Sequence, residues 1–290
     1  MTRAGDSRCG RRSGCSARTG LRWQVRFDDN DYALATRRFW WRAGAAARHE
    51  GIGPMNVDEL LANPPSLHVR AGQPFSYSIS QAVLRELDRR LPAEARTLET
   101  GAGVSTLFFA VKGWRHIAIA PDEGLFERIR AWCAAHATSV DHLRLIAEPS
   151  ERCLPSLQCE KLDAALIDGR HGFAAPFIDW HYTEPLLKMG GLLVVDDTHV
   201  WTGGVLRDFL KQDAAWEFLR ELDGRTALFR KLAEGSTTRE WRQQPYVLAR
   251  STEMSPAQTA LRLVRSGNWA ELWGKVQKRL RGPRHHPRTA

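Results

Sequence analysis

The 290 residues carry a formal net charge of +9, and 43% of them are hydrophobic, yet no apolar run approaches the roughly 18–20 residues that a membrane helix needs. That argues against a helical membrane span. The positive charge is terminal: residues 1–54 are net +6, residues 275–290 are another +6, and residues 55–274 are net −3. Recognition of nucleic acid by a folded face is therefore not expected, and an anionic partner is expected only at the basic ends.

Five cysteines, Cys9, Cys15, Cys133, Cys153 and Cys159, form neither a CxxC pair nor a zinc spacing, and no secretory segment precedes them. They read as reduced thiols of a cytoplasmic protein, with Cys133 packed on an apolar helix face beside Trp132. Residues 1–20 are rich in Arg, Gly and Ser and cannot build a core, and residues 21–54 hold aromatics without a clean period. Residues 1–54 are thus expected to be disordered or poorly structured. Met55 opens the first amphipathic helix and is a candidate start of translation; an organellar targeting peptide fits the arginines but not Asp28, Asp29 and Asp31.

Val83, Leu84, Leu87 and Leu91 share one helical face, which Pro92 ends. Short apolar runs follow at Thr97–Glu99, Ile117–Ala120, Leu143–Ala147, Ala164–Ile167 and Leu192–Val195, each separated by a helical stretch. That alternation predicts a doubly wound α/β fold with a mostly parallel sheet and helical additions at both ends. Residues 226–232 read as a further strand, a candidate antiparallel edge. The expected organisation is a domain over 55–250 and a helical extension with a basic tail over 251–290. Within the extension, residues 256–280 predict one or two helices, either covering the domain or touching an acidic membrane surface.

The sharpest local signal is Thr97-Leu98-Glu99-Thr100-Gly101-Ala102-Gly103-Val104-Ser105-Thr106, a strand running through a glycine turn into a helix. Two glycines one residue apart let a backbone turn tightly against a ligand. Ser105 and Thr106 fall where they can cap the helix or meet that ligand. A dinucleotide fingerprint needs a third glycine where Thr106 stands, so a nicotinamide-dependent oxidoreductase is disfavoured. Glu99 suits a cationic amino acid or sulfonium better than a diphosphate.

Together, ETGAGVST, HIAIAPDEGLFERI, LDAALIDGRHGF and GGLLVVDDTH resemble the class I S-adenosylmethionine-dependent methyltransferases over about residues 98–232. The resemblance implies that Glu99, Gly101 and Gly103 surround the methionine part of the cofactor, with Thr100, Ala102 and Asp168 also among the cofactor-binding residues. It also implies a ribose contact after the second strand. Ala120 occupies the most obvious place for the usual acid, leaving Asp122 as ribose candidate or helix cap. Glu148 and Ser150 are candidates for the adenine side.

Asp168 ends one predicted strand and Asp196 and Asp197 end another, where open α/β sheets place their chemistry. Carboxylates gathered at one rim repel unless protonated, hydrogen-bonded or bridged, and oxygen-only ligands suit Mg²⁺ or another hard ion. The arrangement is similar to the catechol O-methyltransferase group, which implies metal ligation by these acids and a base at His171. That group usually has Lys there. Capping roles for Asp196 and Asp197 remain the alternative, and His181 and His199 lie nearby. Phe173, Phe177, Trp180, Tyr182 and Trp201 cluster around the same loops; Phe177 and Trp180 read as core, Trp201 as a pocket wall.

The expected activity is in-line methylation of a small-molecule hydroxyl, with Asp168 and His171 as catalytic residues and either His171 or a metal activating the acceptor. The alternatives are a noncatalytic cofactor-binding module and the disfavoured oxidoreductase. Oligomeric state is not readable from the sequence.

Overall fold

In the computed structural model, which describes residues 55–75, 79–251 and 255–280, the first helix begins where Asn56 and Glu59 close a capping box. Each side chain accepts from the other's backbone N–H, at 2.9 and 3.2 Å, satisfying donors that a helix start leaves free. This helix, α1 (Val57–Ala62), precedes a hairpin of β1 (His68–Arg70) and β2 (Gln73–Phe75), and then α2 (Gln81–Arg90). Val83, Leu84 and Leu87 of α2 are buried as their spacing predicts, and the helix ends ahead of Pro92. The expectations for residues 1–54 and for the tail beyond 280 lie outside the described residues.

Every predicted apolar run forms a strand: β3 (Arg96–Thr100), β4 (Arg115–Ile119), β5 (Leu143–Ile146), β6 (Leu162–Ile167) and β7 (Leu187–Val195). The crossovers carry α3 (Val104–Val111), α4 (Glu123–Ala135), α5 (Ser150–Cys153) and α6 (Ala175–Thr183), and α7 (Trp201–Gln212) follows β7. With β8 (Trp216–Leu222) and β9 (Thr226–Lys231), the sheet has the order β5-β4-β3-β6-β7-β9-β8. Neighbours from β5 to β7 are parallel, and β9 is antiparallel to both β7 and β8. The chain is thus a doubly wound α/β protein with a mostly parallel sheet.

Two strands depart from the sequence reading. Residues 226–231 do run antiparallel, but β9 lies one place in from the edge. The edge is β8, whose segment WEFLREL carries Glu217, Arg220 and Glu221 and so lacks the apolar run that marks the inner strands. Charge on an edge strand also discourages pairing with another chain.

Because side chains alternate across a strand, each strand feeds both faces of the sheet. Leu98, Ala165, Ile167, Leu193 and Val195 pack with Trp180, Leu206, Phe209 and Leu210 of α6 and α7. Ala118, Ala164, Leu166 and Val194 pack on the other side with Leu84, Phe108, Phe109, Phe126 and Ile129. Strand order runs outward in opposite directions from β3 and β6, so a crevice opens beyond their carboxyl ends.

After the sheet come α8 (Pro245–Arg250), α9 (Pro256–Arg265) and α10 (Trp269–Leu280), of which α9 and α10 contact each other. The extension therefore holds two helices over 256–280. Among the described residues no helix is long and apolar enough to cross a membrane.

Candidate active site at the strand ends

Backbone hydrogen bonds draw three loops together at the crevice. Gly101 N–H donates to Ile119 O at 2.9 Å, Asp168 N–H to Thr100 O at 3.0 Å, and Asp196 N–H to Ile167 O at 3.0 Å. Gly101 adopts φ +96°, and a Cβ there would stand 2.3 Å from the Asp168 carbonyl oxygen. The glycine is required both by its left-handed backbone and by this close approach.

Glu99 is fully buried, and its carboxylate accepts from Ser105 Oγ at 2.5 Å, from Thr106 Oγ1, and lies 3.1 Å from His116 Nε2. Thr106 Oγ1 also accepts from Gly103 N–H at 3.0 Å. These side chains clamp the start of α3 onto β3. His116 has its Nδ1 2.8 Å from Thr97 Oγ1 and stacks on Phe109 at 4.1 Å. The sequence reading passed over His116, although the alternation in HIAIA places it on the same face as Ala118.

Asp122 is the residue before α4, but its carboxylate makes no cap and accepts from Arg128 at 3.0 Å. Ser150 opens α5 and lies beside Asp179, a buried acid of α6 whose oxygens have no hydrogen-bond partner among the described residues. Thr100 Oγ1, at the end of β3, is likewise buried without a partner. Burial raises the Asp179 pKa, against the neighbouring Ser150 and Thr100 hydroxyls, which lower it.

The strand-end acids divide into two groups. Asp168, His171 and Asp197 each offer a ligand atom within 4.8 Å of the others, and His171 Nε2 lies 2.9 Å from Asp197 Oδ2. Asp196 does not join them. It accepts from Thr226 Oγ1, and its other oxygen lies 3.0 Å from Arg225 Nη2, which also reaches Asp197 Oδ1 at 2.6 Å. Of the expected trio Asp168, Asp196 and Asp197, the first and last stand with His171, while a hydroxyl and a guanidinium occupy Asp196. Neither Arg225 nor Thr226 was singled out from the sequence.

Asp197 adopts φ +49°, a left-handed conformation that Asp tolerates better than most residues. α7 packs against that turn through Gly203, where a Cβ would meet Asp197 O at 2.7 Å. The Asp168 carboxyl is pushed well above the usual carboxylate range by burial first, then by Asp196, Glu99 and Asp197, with Arg225 opposing. Such a cluster of acids favours a cation beside it.

At the rim, Phe173 and Trp201 are 80% and 69% exposed, with ring centroids 6.2 Å apart and planes 29° from parallel. Thr202 Oγ1 donates to His171 O at 2.6 Å, tying the Trp201 helix to the His171 loop. Trp180 is buried edge-on against Phe209, and Phe177 and Tyr182 pack against the core. His199 Nδ1 lies 3.6 Å from Asp197 Oδ1, whereas His181 contacts Tyr182 edge-on in α6.

The family model of a methyltransferase domain matches residues 98–198, which contain the glycine turn and all three acids. No curated protein matches the sequence. Among solved structures, the chain is similar to a proposed caffeoyl-CoA O-methyltransferase from Staphylococcus aureus, at 16% identity over 53% of this chain and 85% of that one, with a TM-score of 0.47. It is also similar to the O-methyltransferase TomG from Streptomyces achromogenes, at 15% identity over 54% and 82% with a TM-score of 0.45. An rRNA methylase from Streptococcus thermophilus aligns at 18% identity over 52% and 95% with a TM-score of 0.42. The matched segment, about a third of the chain, is a methyltransferase domain, and its strand ends lie at the switch point of this sheet.

Proposed function

We propose that this enzyme methylates a hydroxyl of a small acceptor, with His171 as general base and Asp197 orienting it. The observation that carries this reading is the 2.9 Å contact between His171 Nε2 and Asp197 Oδ2 at the end of the sheet. If Nε2–H donates to Asp197, the proton-free atom is Nδ1, which can accept a hydroxyl proton while the carboxylate steadies the resulting imidazolium. S-adenosylmethionine, when bound, supplies the electrophilic methyl group. The backbone of residues 100–103 is its cradle, and the negative field of Asp196 and Asp197, only partly offset by Arg225, favours a sulfonium. Phe173 and Trp201 give the acceptor an apolar wall and limit water around a reaction in which charge disappears.

A second reading is favoured by the grouping of Asp168, His171 and Asp197. These residues fit a divalent cation, with a nitrogen in place of one of the oxygens that Mg²⁺ prefers. A bound cation would make the acceptor hydroxyl more acidic. His171 Nε2 would then be a ligand rather than a donor to Asp197, so the two readings are exclusive at that atom.

Calorimetry with S-adenosylhomocysteine, followed by transfer assays on a panel of phenols and sugars with and without EDTA, tests both. Product binding with EDTA-insensitive transfer supports the His171 base. Transfer abolished by EDTA and restored by Mg²⁺ or Mn²⁺ supports the metal. Product binding with transfer only to amines would overturn hydroxyl methylation.

A further inference from the structure

The two helices after residue 255 leave large apolar side chains in water. Trp269 and Trp273 of α10 are 61% and 64% exposed, and Val276 is exposed beside them. At about 100° per residue these three positions fall within about 60° of one another, so they form one stripe along the helix. Leu261 and Val264 extend the exposed apolar surface on α9, while Leu263 is buried and Leu272 is partly covered. The helical pattern thus has two kinds of apolar position, and only one of them is satisfied among the described residues.

The polar positions of the same segment are basic. Residues 255–280 contain Arg262, Arg265, Lys275, Lys278 and Arg279 against the single acid Glu271, and residues 281–290 add three arginines and no acid. Glu271 is already met by Lys275 at 3.4 Å. A second copy of this surface would bring like charges together, and a nucleic acid would leave the tryptophan stripe in water. An anionic lipid surface answers both features: tryptophans insert at the depth of the headgroups while lysines and arginines meet the phosphates.

We infer that α9 and α10 dock the enzyme on the surface of an anionic bilayer, with the Trp269–Trp273–Val276 stripe lying in the interface. Among the described residues no helix spans; the attachment is peripheral and reversible. Each basic residue near such a surface adds to the attraction, which is weakened by salt, whereas the apolar insertion is not.

The test is co-sedimentation of the full chain with vesicles of phosphatidylcholine alone or containing 30% phosphatidylglycerol. Binding to the anionic vesicles is expected, at least tenfold weaker in the double variant Trp269→Ser, Trp273→Ser, whose affinity for S-adenosylhomocysteine should equal that of the wild type. Lys275→Glu is expected to weaken binding to a smaller degree. The proposal is overturned by absent binding, by equal binding to both vesicle types, or by undiminished binding of the double variant, which would assign the attraction to the basic termini. It is also overturned if the wild type is a dimer in light scattering that the double variant converts to a monomer.

Discussion

Arg225 Nη2 stands 2.6 Å from Asp197 Oδ1 and 3.0 Å from Asp196 Oδ2, so one guanidinium nitrogen serves both carboxylates at the end of β7. Arg225→Ala leaves Asp196, whose side chain is fully buried, with only Thr226. Removing one partner of a buried pair costs about 3–5 kcal/mol, and the partial exposure of Arg225 places this case at or below the low end. Urea unfolding should show the loss, and transfer should fall with it because Asp197 loses its restraint. Unchanged stability would mean that solvent replaces the arginine freely.

His171→Ala and Asp197→Asn are expected to lower kcat by about 10²–10⁴-fold and by a smaller factor respectively, with S-adenosylhomocysteine affinity retained. An equal loss of product binding in both variants would place these residues in cofactor binding instead.

Gly203→Ala tests the packing under Asp197 without altering any polar group. The added methyl would lie 2.7 Å from the Asp197 carbonyl oxygen, so either α7 or the turn must shift. Transfer is expected to fall at least tenfold by the misplacement of Asp197, while Tm drops by several degrees. Wild-type kinetics would show that the turn yields without consequence.

Glu99→Ala removes the acceptor of Ser105 and Thr106 and the neighbour of His116. Hydrogen bonds to a charged group are worth about 1.5–3 kcal/mol each, so a loss of at least about 3 kcal/mol is expected in urea unfolding. The cofactor turn should loosen as well, seen as weaker S-adenosylhomocysteine binding.

Asp179 gives a pH dependence of known sign. Its folded pKa is raised by burial, so the folded state binds the proton more tightly than the unfolded chain does. That contribution is fully present below the unfolded value near 3.9 and disappears as pH rises through the folded value. Asp179→Asn should be more stable than wild type at pH 7, with the difference shrinking toward pH 4. A destabilised Asn variant at pH 7 would show that the ionised carboxylate is satisfied by a water or a ligand.

The inner sheet was legible because β4, β6 and β7 carry short apolar runs bounded by turns, the form that burial on both faces imposes, while β3, whose one apolar residue is Leu98, was marked by the glycine turn that follows it. β8 was not, since Glu217 and Arg220 point outward on an edge. At the site, Asp168 and His171 follow one strand directly and belong to a local motif. Asp196 and Asp197 are adjacent letters, and nothing in their order tells which one the left-handed turn sends toward His171 and which one Thr226 captures. Arg225 and Thr226 arrive from a hairpin 28 and more residues later in the chain, a relationship that only the folded sheet creates.

The reversed direction of β9 has a geometric consequence. Its first residue, Thr226, lies at the rim where the parallel strands finish. Had the strand run parallel to β7, that residue and the arginine before it would begin at the floor of the sheet, about 20 Å away for six residues at 3.3 Å each. The polarity switch therefore acts as a delivery route: it carries a counter-ion to the acids from a hairpin 28 residues further along the chain, and makes that hairpin a component of the candidate site.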